Sequence, residues 1–211
     1  MSGAKVIVIR HGQTAYNSEE NGPERLRGWI DLPLTDEGVQ EGVHTAKKLA
    51  GQKIHKIYSS DMQRAMNVAA LVQEMNKGKT PPIVPHGSLR PWNVGEWAGQ
   101  PVSEVLAPML EHMLKKVDIA PPKGEPWSAF LQRYLPFLRA IMEEARENSD
   151  KGATVLVTHT RNMRALDGWH KKGMRGTDVD PSVLKTKKHL ETGQALELSH
   201  DGRKWTRRVS V

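Results

Sequence analysis

The sequence predicts an α/β fold, a three-layer α/β/α sandwich around a mostly parallel central sheet. Three observations carry this. Two strongly apolar runs, "KVIVIR" near the start and "ATVLVT" at 153–158, have the length of buried strands. Stretches of helical period alternate with strand-like stretches between them. The last twenty residues read as a hairpin around the Asp-Gly turn in "HDGR".

The elements follow in order. Residues 4–10 are the first strand. Val39, Val43, Ala46, Leu49 and Ala50 recur at helical spacing, so 36–50 is an amphipathic helix with Gly51 placed to end it. "KIHKIYSS" is a strand. Ser60-Asp61-Met62-Gln63 then fits a capping box, Ser60 as N-cap and Gln63 reaching back, with the helix continuing through Ala65, Val68, Ala69 and Val72 to about Asn76. "PPIVPHGSL" is a short third strand. "SEVLAPMLEHMLKK" and "PWSAFLQRYLPFLRAIMEEAREN" are helical but interrupted by Pro108 and Pro136, with "VDIAPPKGEP" as the loop between them. The strand at 153–159 leads into a helix, "RNMRALDGWHKK". "GQALELS" and "KWTRRVSV" form the terminal hairpin.

A chain of 211 residues suits one domain, and the weakly patterned 90–125 stretch reads as a cap-like insert. Hydrophobic content of 37% and charged content of 26% are those of an ordinary globular protein. No stretch approaches the apolar length of a membrane span, and the N-terminus lacks a signal peptide's h-region. There is no cysteine, which excludes disulfides and cysteine nucleophiles and fits a cytoplasmic protein. The net charge of +7 suggests an anionic ligand or a solvated basic surface. Its densest groups lie late, at 170–172, 185–188 and 203–208. No groove-reading motif accompanies them, which argues against nucleic acid.

In open α/β sheets, ligands bind beyond the carboxyl ends of the strands. Arg10-His11-Gly12 follow the first strand, Arg64 lies in the first turn after the second, and His159 follows the strand at 153–158. Two arginines and two histidines therefore leave one edge of the sheet, beside helix N-termini that favour anions. The guest such a cluster fits is a tetrahedral oxyanion.

Four segments, "RHGQTAYN", "GWIDLPLTDEG", "YSSDMQRAMNVA" and "VTHTRNMRAL", together resemble the histidine phosphatase superfamily, in its phosphoglycerate mutase-like branch. The resemblance runs over roughly 4–170. It implies a phosphoglycerate mutase-like sandwich and one histidine-phosphatase domain. It also implies His11 as the nucleophile that forms a phosphohistidine. Arg10 and Arg64 would grip the phosphoryl oxygens, and His159, protonated beside the phosphate, would be a third donor. Gly12 would let backbone approach the phosphate. Asn17 would bond the phosphate or hold His11. Arg27 and Gly28 fall in a substrate-contacting loop, and Thr160 and Arg161 follow His159 at the site, Arg161 either facing the phosphate or facing solvent. No metal and no cofactor are called for.

The pattern breaks at three places: the acid after the third strand, "HTRN" at 159–162 where the family often has "HGG" or "HGN", and the mutases' paired arginine. The family has an acid after the third strand, and this chain has Pro91 in "LRPWNVGEW". Glu96 is the nearest carboxylate and the candidate acid; Glu125, Glu19 and Glu20 are the others, with Glu125 read as structural. Trp29, Trp92 and Trp97 line the site or fill the core. "HMLKKVDIAPPKGEP" lacks the paired arginine of the mutases. The expectation is a metal-independent phosphatase for a small phosphorylated substrate. The alternatives are a phosphoglycerate mutase-type transferase and a phosphate- or phosphoprotein-binding module that lost its acid.

Overall fold

The computed structural model describes residues 3–76, 80–115, 119–185 and 190–210. Six strands form one sheet: β1 (Ala4–Arg10), β2 (Ile54–Ser59), β3 (Ile83–Pro85), β4 (Ala153–Thr158), β5 (Ala195–His200) and β6 (Trp205–Ser210), in the order β3-β2-β4-β1-β5-β6. β3, β2, β4 and β1 run parallel, whereas β5 and β6 add an antiparallel edge. Five helices accompany it among the described residues: α1 (Asp36–Leu49), α2 (Gln63–Met75), α3 (Val102–Lys115), α4 (Trp127–Glu147) and α5 (Thr160–Lys171).

Alternation along the strands builds the layers. Ile7, Ile9, Ile57, Val155 and Val157 face α1 and α2, packing on Ala46, Leu49, Ala65, Val68 and Val72. Val6, Val8, Tyr58, Leu156 and Leu198 join the larger cluster, with Phe130, Tyr134, Leu138, Met163 and Leu166 of α4 and α5. Both faces of the central strands are buried, which explains why β1 and β4 read as unbroken apolar runs. Trp92, Val94, Val105 and Met109 belong to that same cluster. The terminal hairpin turns on Asp201, whose Oδ1 accepts from the N–H groups of Arg203 (2.8 Å) and Lys204 (2.9 Å).

Three local expectations are corrected. α4 runs unbroken for 21 residues through Pro136, and α3 likewise contains Pro108. Pro136 lies on α4's exposed face, where water can take the carbonyl freed four residues earlier, while Tyr134, Leu135 and Leu138 hold the helix to the sheet. The third strand is only Ile83–Pro85 and then turns into a 3-10 segment at Gly87–Leu89. α2 has no Ser60–Gln63 capping box. Its N-cap is Met62, and Gln63 N–H donates instead to Asp31 Oδ1 at 2.8 Å, so a carboxylate from a distant loop caps the helix. Beyond Lys185, the basic group at 185–188 lies outside the described residues.

Candidate active site

β1, β4 and β2 end side by side, with Arg10 in register with Thr158 and Ser59 with Val157. The next residues, His11, His159 and Ser60, therefore emerge together. His11 N–H donates to Thr158 O (3.1 Å) and Ser60 N–H to Val157 O (3.0 Å), extending the ladder one residue past the strands. All three are buried. The two imidazoles meet edge to face with centroids 5.0 Å apart.

Hydrogen bonding sets the histidine tautomers. His11 Nδ1 lies 2.7 Å from the Gly12 carbonyl, which can only accept, so Nδ1 carries the proton and Nε2 keeps its lone pair. Burial, and then Arg64, Arg27 and Arg10, hold His11 well below the ordinary histidine range, so the ring is neutral at neutral pH. His159 Nε2 lies 2.9 Å from Ser60 Oγ, which also accepts weakly from Met62 N–H at 3.4 Å. A Ser60 Oγ–H donated to Nε2 places the His159 proton on Nδ1. That atom is buried without a partner.

Around the histidines lies a cavity of about 330 Å³, walled by Arg10, Arg25, Arg27, Arg64, Arg161, Arg164 and Lys185. Gly28, Thr160, Pro91, Val102, Leu26, Leu184 and Glu24 complete the wall. Arg64 Nη1 and Nη2 donate to the carbonyls of Ile30 (2.8 Å) and Gly28 (3.1 Å), and Arg10 Nη1 donates to Leu190 O (2.7 Å). Arg10 Nε, Arg64 Nε, Arg27 Nη1 and Thr160 Oγ1 are buried with no partner. Orphaned buried donors of this kind need an explanation, and an anion is the kind of ligand each of them can donate to. Burial pushes Arg10, Arg64 and Arg161 down to about 10, Arg27 contributing to each, yet all remain charged at neutral pH. Among the described residues, no group of three or more His, Asp and Glu side chains could hold a metal ion.

Residues 6–181 match the family model of the histidine phosphatase superfamily, branch 1. The chain belongs to that superfamily. It is similar to phosphoglycerate mutase-like protein 4 of Arabidopsis thaliana, at 29% identity over 98% of this chain and 84% of the relative. It is also similar to the glucosyl-3-phosphoglycerate phosphatase of Mycolicibacterium vanbaalenii, at 30% identity over 77% of this chain and 72% of that protein. Among solved structures, phosphoglycerate mutase from Bacillus anthracis shares the fold with a TM-score of 0.78, covering 99% of this chain and 93% of that one at 23% identity. The protein is a histidine-phosphatase-superfamily enzyme of the phosphoglycerate mutase-like kind.

Within this histidine-phosphatase fold, seven of the residues singled out from the sequence line the cavity together with His11: Arg10, Arg27, Gly28, Arg64, His159, Thr160 and Arg161. Three others do not. Glu96 is half exposed and paired with Lys123 Nζ at 2.8 Å, because the Gly95–Trp97 turn aims it away from the cavity. Asn17 Oδ1 accepts from Thr14 N–H (3.0 Å) and Oγ1 (2.8 Å), so it braces the loop after β1 and contacts neither His11 nor the cavity. Gly12 packs against α1: a Cβ there would lie 2.2 Å from the Gly38 carbonyl oxygen. In this arrangement burial, and then Arg64, hold His159 well below the ordinary histidine range. Trp92 is core, and Trp29 donates to Pro91 O (2.9 Å) beneath Arg90. Glu125 accepts from Arg133 and from Asn93 N–H, a structural role.

Sequence reasoning missed Ser60, Arg164, Arg133 and Glu24. The capping pattern at Ser60 hides that it adjoins the same strand end as the histidines. Arg164 lies three residues after Arg161, on the same face of α5, a spacing visible in the sequence. Arg133 donates to the carbonyls of Ser88 (3.1 Å), Arg90 (3.0 Å) and Pro91 (2.8 Å) and so fixes the Pro91 wall; only the fold brings α4 to that loop.

Proposed function

We propose that this enzyme is a metal-independent phosphatase that hydrolyses a small phosphorylated substrate through phospho-His11. The observation that carries this is the tautomer of His11: its Nδ1 proton is spent on Gly12 O, and a neutral Nε2 is left in a cavity of arginines. Such a nitrogen attacks phosphorus in line and divides the displacement into two steps. Arg10, Arg64 and Arg27 would hold the phosphoryl oxygens, with His159 Nδ1–H and Thr160 Oγ1 as neutral donors. These contacts strengthen as charge shifts toward the transition state. Arg161 and Arg164 extend the positive wall, which favours a substrate with negative charge beyond the reacting phosphate. The missing arginine pair in the 112–126 segment supports hydrolysis over phosphoryl exchange.

Rapid quench with a phosphorus-labelled aryl phosphate tests this. The expected result is an acid-labile, base-stable phosphoenzyme that decays to inorganic phosphate, and its loss in His11→Ala. Turnover by His11→Ala within tenfold of wild type would overturn the reading. Decay only on addition of a phosphoglycerate acceptor would turn it into a mutase.

A further inference from the structure

We propose that Glu24 gives and retrieves the catalytic proton in place of the position that Pro91 occupies; this rests on the phosphohistidine reading above. Pro91 is itself part of the cavity wall, and its ring has no proton to exchange. Among the described residues that line the cavity, Glu24 is the one carboxylate. Other carboxylates near this region in sequence or space have different employment. Glu96 is paired with Lys123, Glu125 is held by Arg133, and Asp61 takes two bonds from Arg90, at 2.7 and 2.6 Å. Glu19 and Glu20 sit in an exposed turn that does not reach the cavity.

The backbone at Glu24 is fixed, while its carboxylate is not. Glu24 O accepts from Val102 N–H at 2.7 Å, and the N–H groups of Arg25 and Leu26 donate to Tyr16 O (2.8 Å) and Gln100 O (2.9 Å). Leu26 is buried and Arg25 Nη1 holds Gly99 O at 3.0 Å. The side chain, by contrast, is 53% exposed and makes one long contact, 3.4 Å to Arg27 Nη2. Its charge also acts on Arg10, Arg161 and Arg164, which places it amid the cationic wall. A carboxyl on a pinned loop segment with a swinging head can reach either Arg27 or a leaving oxygen. Substrate phosphate would engage Arg27 in its place and so free the Glu24 head.

In the first step His11 Nε2 bonds to phosphorus, the bond to the ester oxygen breaks, and the Glu24 carboxyl passes its proton to that oxygen to give the alcohol. In the second, the Glu24 carboxylate takes a proton from water, the water oxygen bonds to phosphorus, and the phosphorus–nitrogen bond breaks. Inorganic phosphate and neutral His11 result.

The test is kcat/KM for a series of substituted phenyl phosphates and one alkyl phosphate, on wild type, Glu24→Gln, Glu24→Asp and Glu96→Gln. Thermal unfolding with and without inorganic phosphate verifies that each variant keeps the pocket. Glu24→Gln should steepen the dependence on leaving-group basicity and lower alkyl phosphate turnover by about 10²–10⁴-fold. With dinitrophenyl phosphate, whose leaving group needs no proton, the variant should still give a burst of phenolate followed by slow turnover. Glu24→Asp should restore part of the rate, and Glu96→Gln should match wild type. Equal slopes in wild type and Glu24→Gln, with only KM changed by the same factor across the series, would overturn the proposal and leave Glu24 a counter-ion of Arg27. A steepened slope without any wild-type phosphoenzyme would keep the proton role and overturn the His11 reading instead.

Discussion

The Gly12→Ala substitution separates two uses of a glycine beside an anion pocket: room for the ligand or room for the protein. A Cβ on Gly12 would lie 2.2 Å from Gly38 O, 2.8 Å from its carbonyl carbon and 2.9 Å from its Cα. All three are backbone atoms of the first turn of α1, so no side chain can swing aside. Across the same seam, a Cβ on Gly38 would lie 2.1 Å from Gln13 O. The two segments are also tied together, by Gln13 N–H to Glu41 Oε2 (2.7 Å) and Thr35 N–H to Gln13 O (3.0 Å). Overpacking of this kind costs about 1–3 kcal/mol. At roughly 2–4 °C per kcal/mol for a chain of this size, Tm should fall by about 2–12 °C. The displaced Gly12 carbonyl also releases His11 Nδ1, so turnover should fall as well. The assay is thermal unfolding of Gly12→Ala, Gly38→Ala and the double variant, each with and without inorganic phosphate. Both single variants should melt lower, and the double should lose less than the sum because both act on one seam. If Gly12→Ala melts like wild type but gains nothing from phosphate, the glycine serves the ligand and the packing argument is refuted.

Three further outcomes are expected. Arg64→Ala should lower turnover about a hundredfold, the ~3 kcal/mol cost of one charge-assisted donor, and should abolish thermal protection by phosphate; undiminished protection would show that the pocket is misassigned. Ser60→Ala should free the His159 ring and raise KM more than it lowers kcat, whereas Ser60→Thr should behave like wild type; a Ser60→Ala enzyme with wild-type KM would remove Ser60 from the site. Because burial and Arg64 hold both histidines well below their unfolded value, stability is full above about pH 6.5 and is lost as pH falls through that value, by up to about 1.4 kcal/mol per pH unit for each histidine. Melting curves between pH 7.5 and 5.5 should show this slope, and His159→Gln should flatten it; an unchanged slope in that variant would count against a neutral buried His159.

The sheet was legible because β1 and β4 are buried on both faces and therefore carry unbroken apolar runs, and α1, α2 and α5 each keep a single buried stripe. The strand-end logic puts Arg10, His11, Arg64 and His159 at one edge, and in the structure they line one cavity, since parallel neighbouring strands must deliver their carboxyl ends to one edge. Pro136 reads as a break in the sequence because sequence alone does not tell which face of α4 meets water. The α2 cap is not legible in the sequence because its partner, Asp31, lies 32 residues away from Gln63.

The chain by itself thus determined the sandwich, the direction of its strands, the family resemblance and the polar groups that β1, β4 and α2 present. Those features are local, set by periodicity and by residues adjoining strand ends. Which carboxylate joins them was decided only by tertiary structure. Glu96 lies five residues from Pro91 yet turns to Lys123, while Glu24, far away in sequence, is pinned into the cavity wall by Val102, and its neighbour Leu26 by Gln100. The reason is that loop placement depends on hydrogen bonds between distant backbone segments, which leave no periodic trace in the sequence.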